Sequence, residues 1–315
     1  MKIIDFDESH IKEAERLALE NYAEERCFVP ALPEITAIPP LDCFAANGLG
    51  VAALEDDRLI GYLCCPEPWE NAFDTAASGV FSPLHANGAA KKNRSMIYRR
   101  MYQAAARKWI DRSAAYHAIC LYAHAEEALR GLFFYGFGMR CIDAVRSAEL
   151  IGAAPPNGIV FRELEASELP VVRPLRKRLS DHMGESPCFM LSSPEEFECW
   201  LERRECSGTR LFAAFDGSKA IAFLELGGEG ENFASQSPDM PNICGAYCLP
   251  EYRGKDVYAA LLDYVVSALR DEGFVRIGVD FESINPTASG FWLKHFSAYT
   301  ASVTRRIDDC ALPRG

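Results

Sequence analysis

From position 249 to 258 the chain reads LPEYRGKDVY. An apolar run over 243–249 ends at Pro250, and helical spacing begins at Val257. Val257, Leu261 and Val265 fall on one stripe, with Tyr258, Leu262 and Leu269 beside it. The turn between them therefore joins a buried strand to a helix N-terminus. The first N–H groups there have no intrahelical partner, and the helix dipole favours an anion. Arg253 and Lys255 add positive charge, and Gly254 allows close backbone approach. Together these residues have the makings of a pyrophosphate cradle. A solvated basic turn has the same local composition, so the elements around it must decide.

Those elements recur. Residues 3–17 and 161–175 each read as a short strand, a capping serine (Ser9, Ser167) and a helix, offset by 158 residues. Residues 51–63 and 211–224 each read as a hairpin around an acidic turn. Residues 132–137 and 291–296 match as aromatic helix ends, offset by 159. Three matches in the same order imply a tandem duplication with units of roughly 150 residues, an ordinary domain size. The Gly/Pro-rich, aperiodic stretch 152–158 marks the join. The halves are thus expected at 1–151 and 158–315, with a long loop over 227–241 inside the second. After the turn at 250–258, the run 275–281 is a further strand, and strand–turn–helix–strand implies a parallel pair with a crossover helix.

Composition excludes several classes. Hydrophobic residues make up 49% and charged residues 25%, which is globular rather than disordered. The start, MKIIDFDESHIKEAERL, lacks an apolar signal region, and no run is long enough to span a bilayer, so a soluble cytoplasmic protein with no membrane partner is expected. The net charge of −12 with no basic stripe argues against nucleic acid. The 12 scattered cysteines suit reduced thiols in a core. Cys120 and His124 share a strand face with Tyr122, yet no Cys-x-x-Cys accompanies them, so no metal is expected.

The run Leu249–Lys255 resembles the acyl-CoA-binding motif of the GCN5-related N-acetyltransferase (GNAT) superfamily. Arg253 takes the motif's first position, Asp256 stands where its first glycine belongs, and Tyr258 where its second small residue belongs. Residues 282–296 are similar to a second family landmark, through Asn285, Ala288 and Phe296; the family's frequent tyrosine acid falls at Trp292, which cannot donate that proton. The resemblance implies an α/β (α+β) chain of two tandem GNAT-like domains. Each would be a mixed, mostly antiparallel sheet flanked by helices, with a splayed parallel strand pair. The first half carries a longer loop, 81–94, in the cradle position and reads as a degenerate copy.

The same resemblance implies acetyl-CoA as cosubstrate and a primary amine, on a small molecule or a peptide, as acceptor. Tyr247, Cys248, Leu249, Arg253, Gly254, Lys255, Asp256, Val257, Tyr258, Asn285 and Phe291 would contact the cosubstrate. Acyl transfer of this kind needs a neutral amine, a close thioester and a backbone donor for the developing oxyanion, here at the strand end 247–249. Glu225 on the hairpin and Glu282 at a strand end are candidate bases, and Tyr299 a candidate acid. A non-catalytic acyl-CoA-binding or regulatory protein is the alternative, as a monomer or homodimer in either case.

Overall fold

The computed structural model describes residues 1–206, 208–228 and 230–313; Glu229, inside the expected 227–241 loop, lies outside them. The chain forms two compact units, Met1–Asp143 with Ala298–Gly315, and Ala144–Ser297. The halves read from the repeat group residues by sequence similarity, so they assign the last strand to the second half. In space that strand, Thr300–Arg306, pairs inside the first unit.

The first unit runs β1 (Lys2–Asp5), α1 (Ile11–Phe28), α2 (Asp42–Ala46), β2 (Val51–Glu55), β3 (Arg58–Leu63), β4 (Gly79–Ser82), β5 (Asn87–Ala89), α3 (Arg94–Asp111), β6 (Tyr116–Tyr122), α4 (Glu126–Phe133) and β7 (Gly138–Ser147), whose last residues belong to the second unit. The β2–β3 turn has Asp56 and Asp57 both at positive φ, 51° and 59°, as a two-residue turn matched to strand twist requires. One sheet is antiparallel, in the order β1-β2-β3-β5. In the other, β4 pairs in parallel with β6, and the chain's last strand pairs antiparallel with β6 along its whole length. Segment 79–89 thus changes partners midway, from β6 to β3.

The first unit fills the gap so opened with its own side chains. The Asn21 amide brackets Ala89, accepting from its N–H at 3.0 Å and donating to its carbonyl at 3.1 Å. Asn87 donates to the Cys120 carbonyl at 3.0 Å and accepts from the Tyr98 hydroxyl at 2.9 Å. Glu24 pairs with both Lys91 and Arg94, so two of the basic residues in the 81–94 loop share one carboxylate.

The second unit repeats the order: β8 (Ile159–Glu163), α5 (Arg173–Gly184), α6 (Pro194–Cys206), β9 (Arg210–Asp216), β10 (Lys219–Gly227), β11 (Asn242–Cys248), α7 (Val257–Asp271), β12 (Arg276–Glu282) and α8 (Pro286–His295). The sheet runs β8-β9-β10-β11-β12, antiparallel throughout except for the parallel β11–β12 pair. The apolar stripe expected for α7 is buried: Val257, Leu261, Leu262, Val265 and Leu269 belong to a core that includes Phe212 and Leu224. Strand β11 stays paired with β10 as far as Cys248, with one register shift at Glu225/Leu226, yet pairs with β12 only at Asn242 and Ile243. Beyond Ile243 the parallel pair splays, and the cleft between the two strands is where the site forms.

The serine caps expected at Ser9 and Ser167 are corrected. In the first unit the turn is capped two residues earlier, by Asp7, which accepts from Ser9 N–H at 2.9 Å; in the second, the Glu168 carboxylate reaches back to accept from Glu165 N–H at 3.1 Å. A carboxylate at that point also meets the positive end of the helix dipole, which a hydroxyl does not. Among the described residues, no helix is long and apolar enough to cross a membrane.

Candidate acyl-transfer site

A cavity of about 610 Å³ lies in the second unit, between the end of β11, the first turns of α7, helix α8 and the C-terminal turn of α5. Its floor is the uncapped start of α7. The first intrahelical bond runs from Ala260 N–H to Asp256 O at 2.9 Å, and no side chain caps the helix. The N–H groups of Val257, Tyr258 and Ala259 therefore come before the ladder begins, in residues that line the cavity. Helix α8 differs: Asn285 Oδ1 accepts from Thr287 N–H at 3.2 Å and Ala288 N–H at 3.4 Å. The cap missing from α7 is what leaves it open to a phosphate.

The departures from the motif have geometric meanings. Asp256 sits at φ 58°, ψ 3°, the left-handed conformation a glycine would supply; aspartate is among the residues that tolerate it. Tyr258 puts its ring edge-on to Phe291 and Trp292, at 5.1 and 6.0 Å, and donates its hydroxyl to the Phe223 carbonyl at 3.2 Å. It occupies space that a small residue would leave to a ligand. Arg253 donates through Nε to the Cys248 carbonyl at 2.9 Å and holds its guanidinium 5.2 Å from the Tyr247 ring centre, which fixes the strand end as well as adding charge.

Of the residues expected at the cosubstrate, Tyr247, Cys248, Arg253, Gly254, Asp256, Val257, Tyr258, Asn285 and Phe291 all line this one cavity. Leu249 and Lys255 are not in its wall: Leu249 is buried with its N–H on the Ile221 carbonyl, and Lys255 reaches over the Tyr252 ring at 5.9 Å. Burial pushes the Cys248 thiol up to about 11, so it stays protonated at neutral pH and is no nucleophile.

The expected acid–base residues lie elsewhere. Glu225 is fully buried, accepting from Arg176 Nη2 at 3.0 Å and from the Thr209 hydroxyl at 2.6 Å. It is the anionic half of an interior ion pair, and Gly245 opposite leaves room for it: a Cβ there would stand 3.0 Å from Glu225 Oε2. Glu282 is half-buried at the end of β12, outside the cavity wall. Tyr299 is buried within the first unit, with its N–H on the Asp143 carbonyl.

A different residue stands in the wall. His182, in the last turn of α5, places Nε2 3.2 Å from Asn285 Oδ1 and 3.1 Å from Thr287 Oγ1. Thr287 Oγ1 lies 2.7 Å from Asn285 Oδ1, which can only accept, so the threonine donates there. Both neighbours then present lone pairs to Nε2, which must carry the hydrogen. The neutral ring keeps its lone pair on Nδ1. With Nε2 as donor, the neutral form of His182 is held in one tautomer by Asn285 and Thr287. No sequence motif announces it, because 103 residues separate His182 from Asn285.

A family model described as the acetyltransferase (GNAT) family matches residues 177–297, the segment that builds this cavity. Over that segment the chain is similar to the GNAT family. Among solved structures, the GCN5-related N-acetyltransferase from Sphaerobacter thermophilus is 14% identical, with 99% of this chain and 98% of that one covered, at a TM-score of 0.56. A conserved protein of unknown function from Staphylococcus epidermidis is 10% identical, with 82% and 94% covered, at 0.50. At these identities the likeness is one of fold. No curated protein matches the chain. The GNAT family indicates acyl transfer in general, and acetyl-CoA is its usual donor. Among the described residues, β11 has no strand partner on its β12 side past Ile243, and no side chain caps the first N–H groups of α7.

Proposed function

We propose that this protein is an N-acetyltransferase that passes an acetyl group from acetyl-CoA to a primary amine of a small molecule or a peptide. The observation that carries the reading is one cavity that joins the uncapped α7 N-terminus, the end of β11 where it has parted from β12, and a histidine held by Asn285 and Thr287. The α7 N–H groups of residues 257–259 would receive the pyrophosphate, with Arg253 beside them. The β11 edge would lie along the pantetheine arm, with Phe291 and Tyr258 as apolar walls. The cosubstrate supplies an activated thioester. The protein holds an amine next to that thioester, and His182 Nδ1 accepts the proton the nitrogen sheds as its bond to the acyl carbon forms and the C–S bond breaks. The histidine favours the enzyme over the non-catalytic alternative, since simple storage of acyl-CoA has no use for a positioned base.

The test is acetyl transfer from labelled acetyl-CoA to a panel of amines, with calorimetry on the same protein. Binding near one equivalent with turnover that falls about a hundredfold or more in His182→Ala is the expected result. Binding with no transfer to any amine would support the acyl-CoA-binding alternative, and no binding at millimolar ligand would overturn the site.

A further inference from the structure

The segment between the repeats takes part in the site. Ile151, Gly152, Ala153 and Ala154 line one end of the cavity. Three successive N–H groups of this segment point at one carboxylate: Ile151 N–H meets Asp263 Oδ1 at 2.6 Å, and Gly152 and Ala153 N–H meet Oδ2 at 2.8 Å each. Asp263 stands on α7, about 10 Å of helix rise from the cradle at its start. Gly152 has φ +82°, the left-handed geometry that lets consecutive N–H groups converge on an anion. Lys294 and His295, the last residues of α8, line the same end.

We infer that residues 151–154 are a strap, fastened by Asp263, that closes the cavity over the nucleotide end of the cosubstrate, and that Asp263 is a positioning residue for cosubstrate binding. The inference rests on the acetyl-CoA reading above. Its direction follows from α8. Asn285 and His182 stand at one terminus of that helix, and ten residues later, about 15 Å of rise, Lys294 and His295 line the cavity, with His295 within electrostatic reach of Asp263, the anchor of the strap. The phosphates fall between, at the start of α7. What lies past them, toward the Lys294 ammonium, the His295 imidazole and a backbone wall, is the phosphorylated nucleotide. Without its carboxylate anchor the strap has three N–H groups with no fixed acceptor and is free to leave the cavity. Closure then has to be achieved on each binding event, which reduces the apparent affinity by the fraction of time the strap is in place.

The experiment titrates the full chain and two variants with CoA and with 4′-phosphopantetheine, and follows amide hydrogen exchange at residues 151–153. Asp263→Asn weakens the anchor from the α7 side. Gly152→Ala disturbs the strap from its own side, because its Cβ meets nothing within 4 Å and only the positive φ is strained. Each variant should bind CoA about tenfold more weakly, a loss expected if the strap stays closed about a tenth of the time. Each should bind 4′-phosphopantetheine as the parent does, keep the KM for the amine, and exchange faster at 151–153. CoA affinity unchanged within twofold while exchange at 151–153 accelerates in both variants would overturn the strap. Equal losses for both ligands would overturn its assignment to the nucleotide end. Failure of the parent chain to bind CoA at all would overturn the acetyl-CoA reading, and the strap with it.

Discussion

Glu225→Ala tests whether this carboxylate serves the fold or the chemistry. Arg176 is 1% exposed and already has Nε and Nη1 buried without a hydrogen-bond partner among the described residues; Nη2 has only Glu225. Removing the carboxylate leaves a whole guanidinium buried and uncompensated, which costs about 3–5 kcal/mol. The Thr209 hydroxyl loses its bond to the same carboxylate. In thermal terms, a unit of this size should melt about 6–20 °C lower. The pair is inserted between α5 and β10, so Arg176→Met with Glu225→Leu removes both charges and fills the space with carbon. That double variant should recover most of the loss, since well-packed apolar replacements of buried ion pairs are commonly neutral or better. Denaturant unfolding of the parent, both single variants and the double variant gives the four corners of the cycle. A single variant within about 1 kcal/mol of the parent, or a double variant no more stable than the singles, would refute the reasoning. The double variant should also keep acetyl-transfer activity; loss of turnover in a stable double variant would restore Glu225 as the base.

Three further outcomes follow from the site and the first unit. Asp256→Gly should relax the left-handed cap by up to about 1 kcal/mol and remove a negative charge from the phosphate end, so CoA should bind several-fold more tightly by calorimetry. Asn285→Ala should cost about 1 kcal/mol for the α8 cap and release His182, lowering kcat more than it raises the amine KM in steady-state assays. Burial holds His117 in the first unit down to about 4, with Nε2 bonded to the Ala114 carbonyl at 3.0 Å. Its folded value lies below its unfolded one, so the unfolded chain takes up the proton first. Stability is full above about pH 6.5 and falls by roughly 3 kcal/mol as pH drops to 4. Unfolding of His117→Gln at pH 7.5 and pH 4.5 should show a smaller pH difference than the parent.

The sequence by itself determined the local grammar. The stripe of α7, the turn at 250–258, the hairpins and the repeat are all short-range patterns, set by helix and strand periodicity and by residues that favour turns. These were legible because each is decided within about fifteen residues. The residues that line the cavity were also largely legible, because most of them lie on one strand–turn–helix unit. Tertiary structure decided the rest. The splay after Ile243 depends on where β12 lies relative to β11. A carboxylate on β10 looks the same in sequence whether it faces a ligand or Arg176; only the packing of α5 against the sheet shows that it is buried. His182 joins Asn285 across 103 residues, and Asp263 holds a segment 110 to 112 residues earlier. Hydrogen bonds act over about 3 Å in space and carry no trace in sequence spacing once the chain has turned back on itself. The His182–Asn285 bond and the Asp263 bonds to residues 151–153 are long-range pairings of that kind, and only the fold could reveal them.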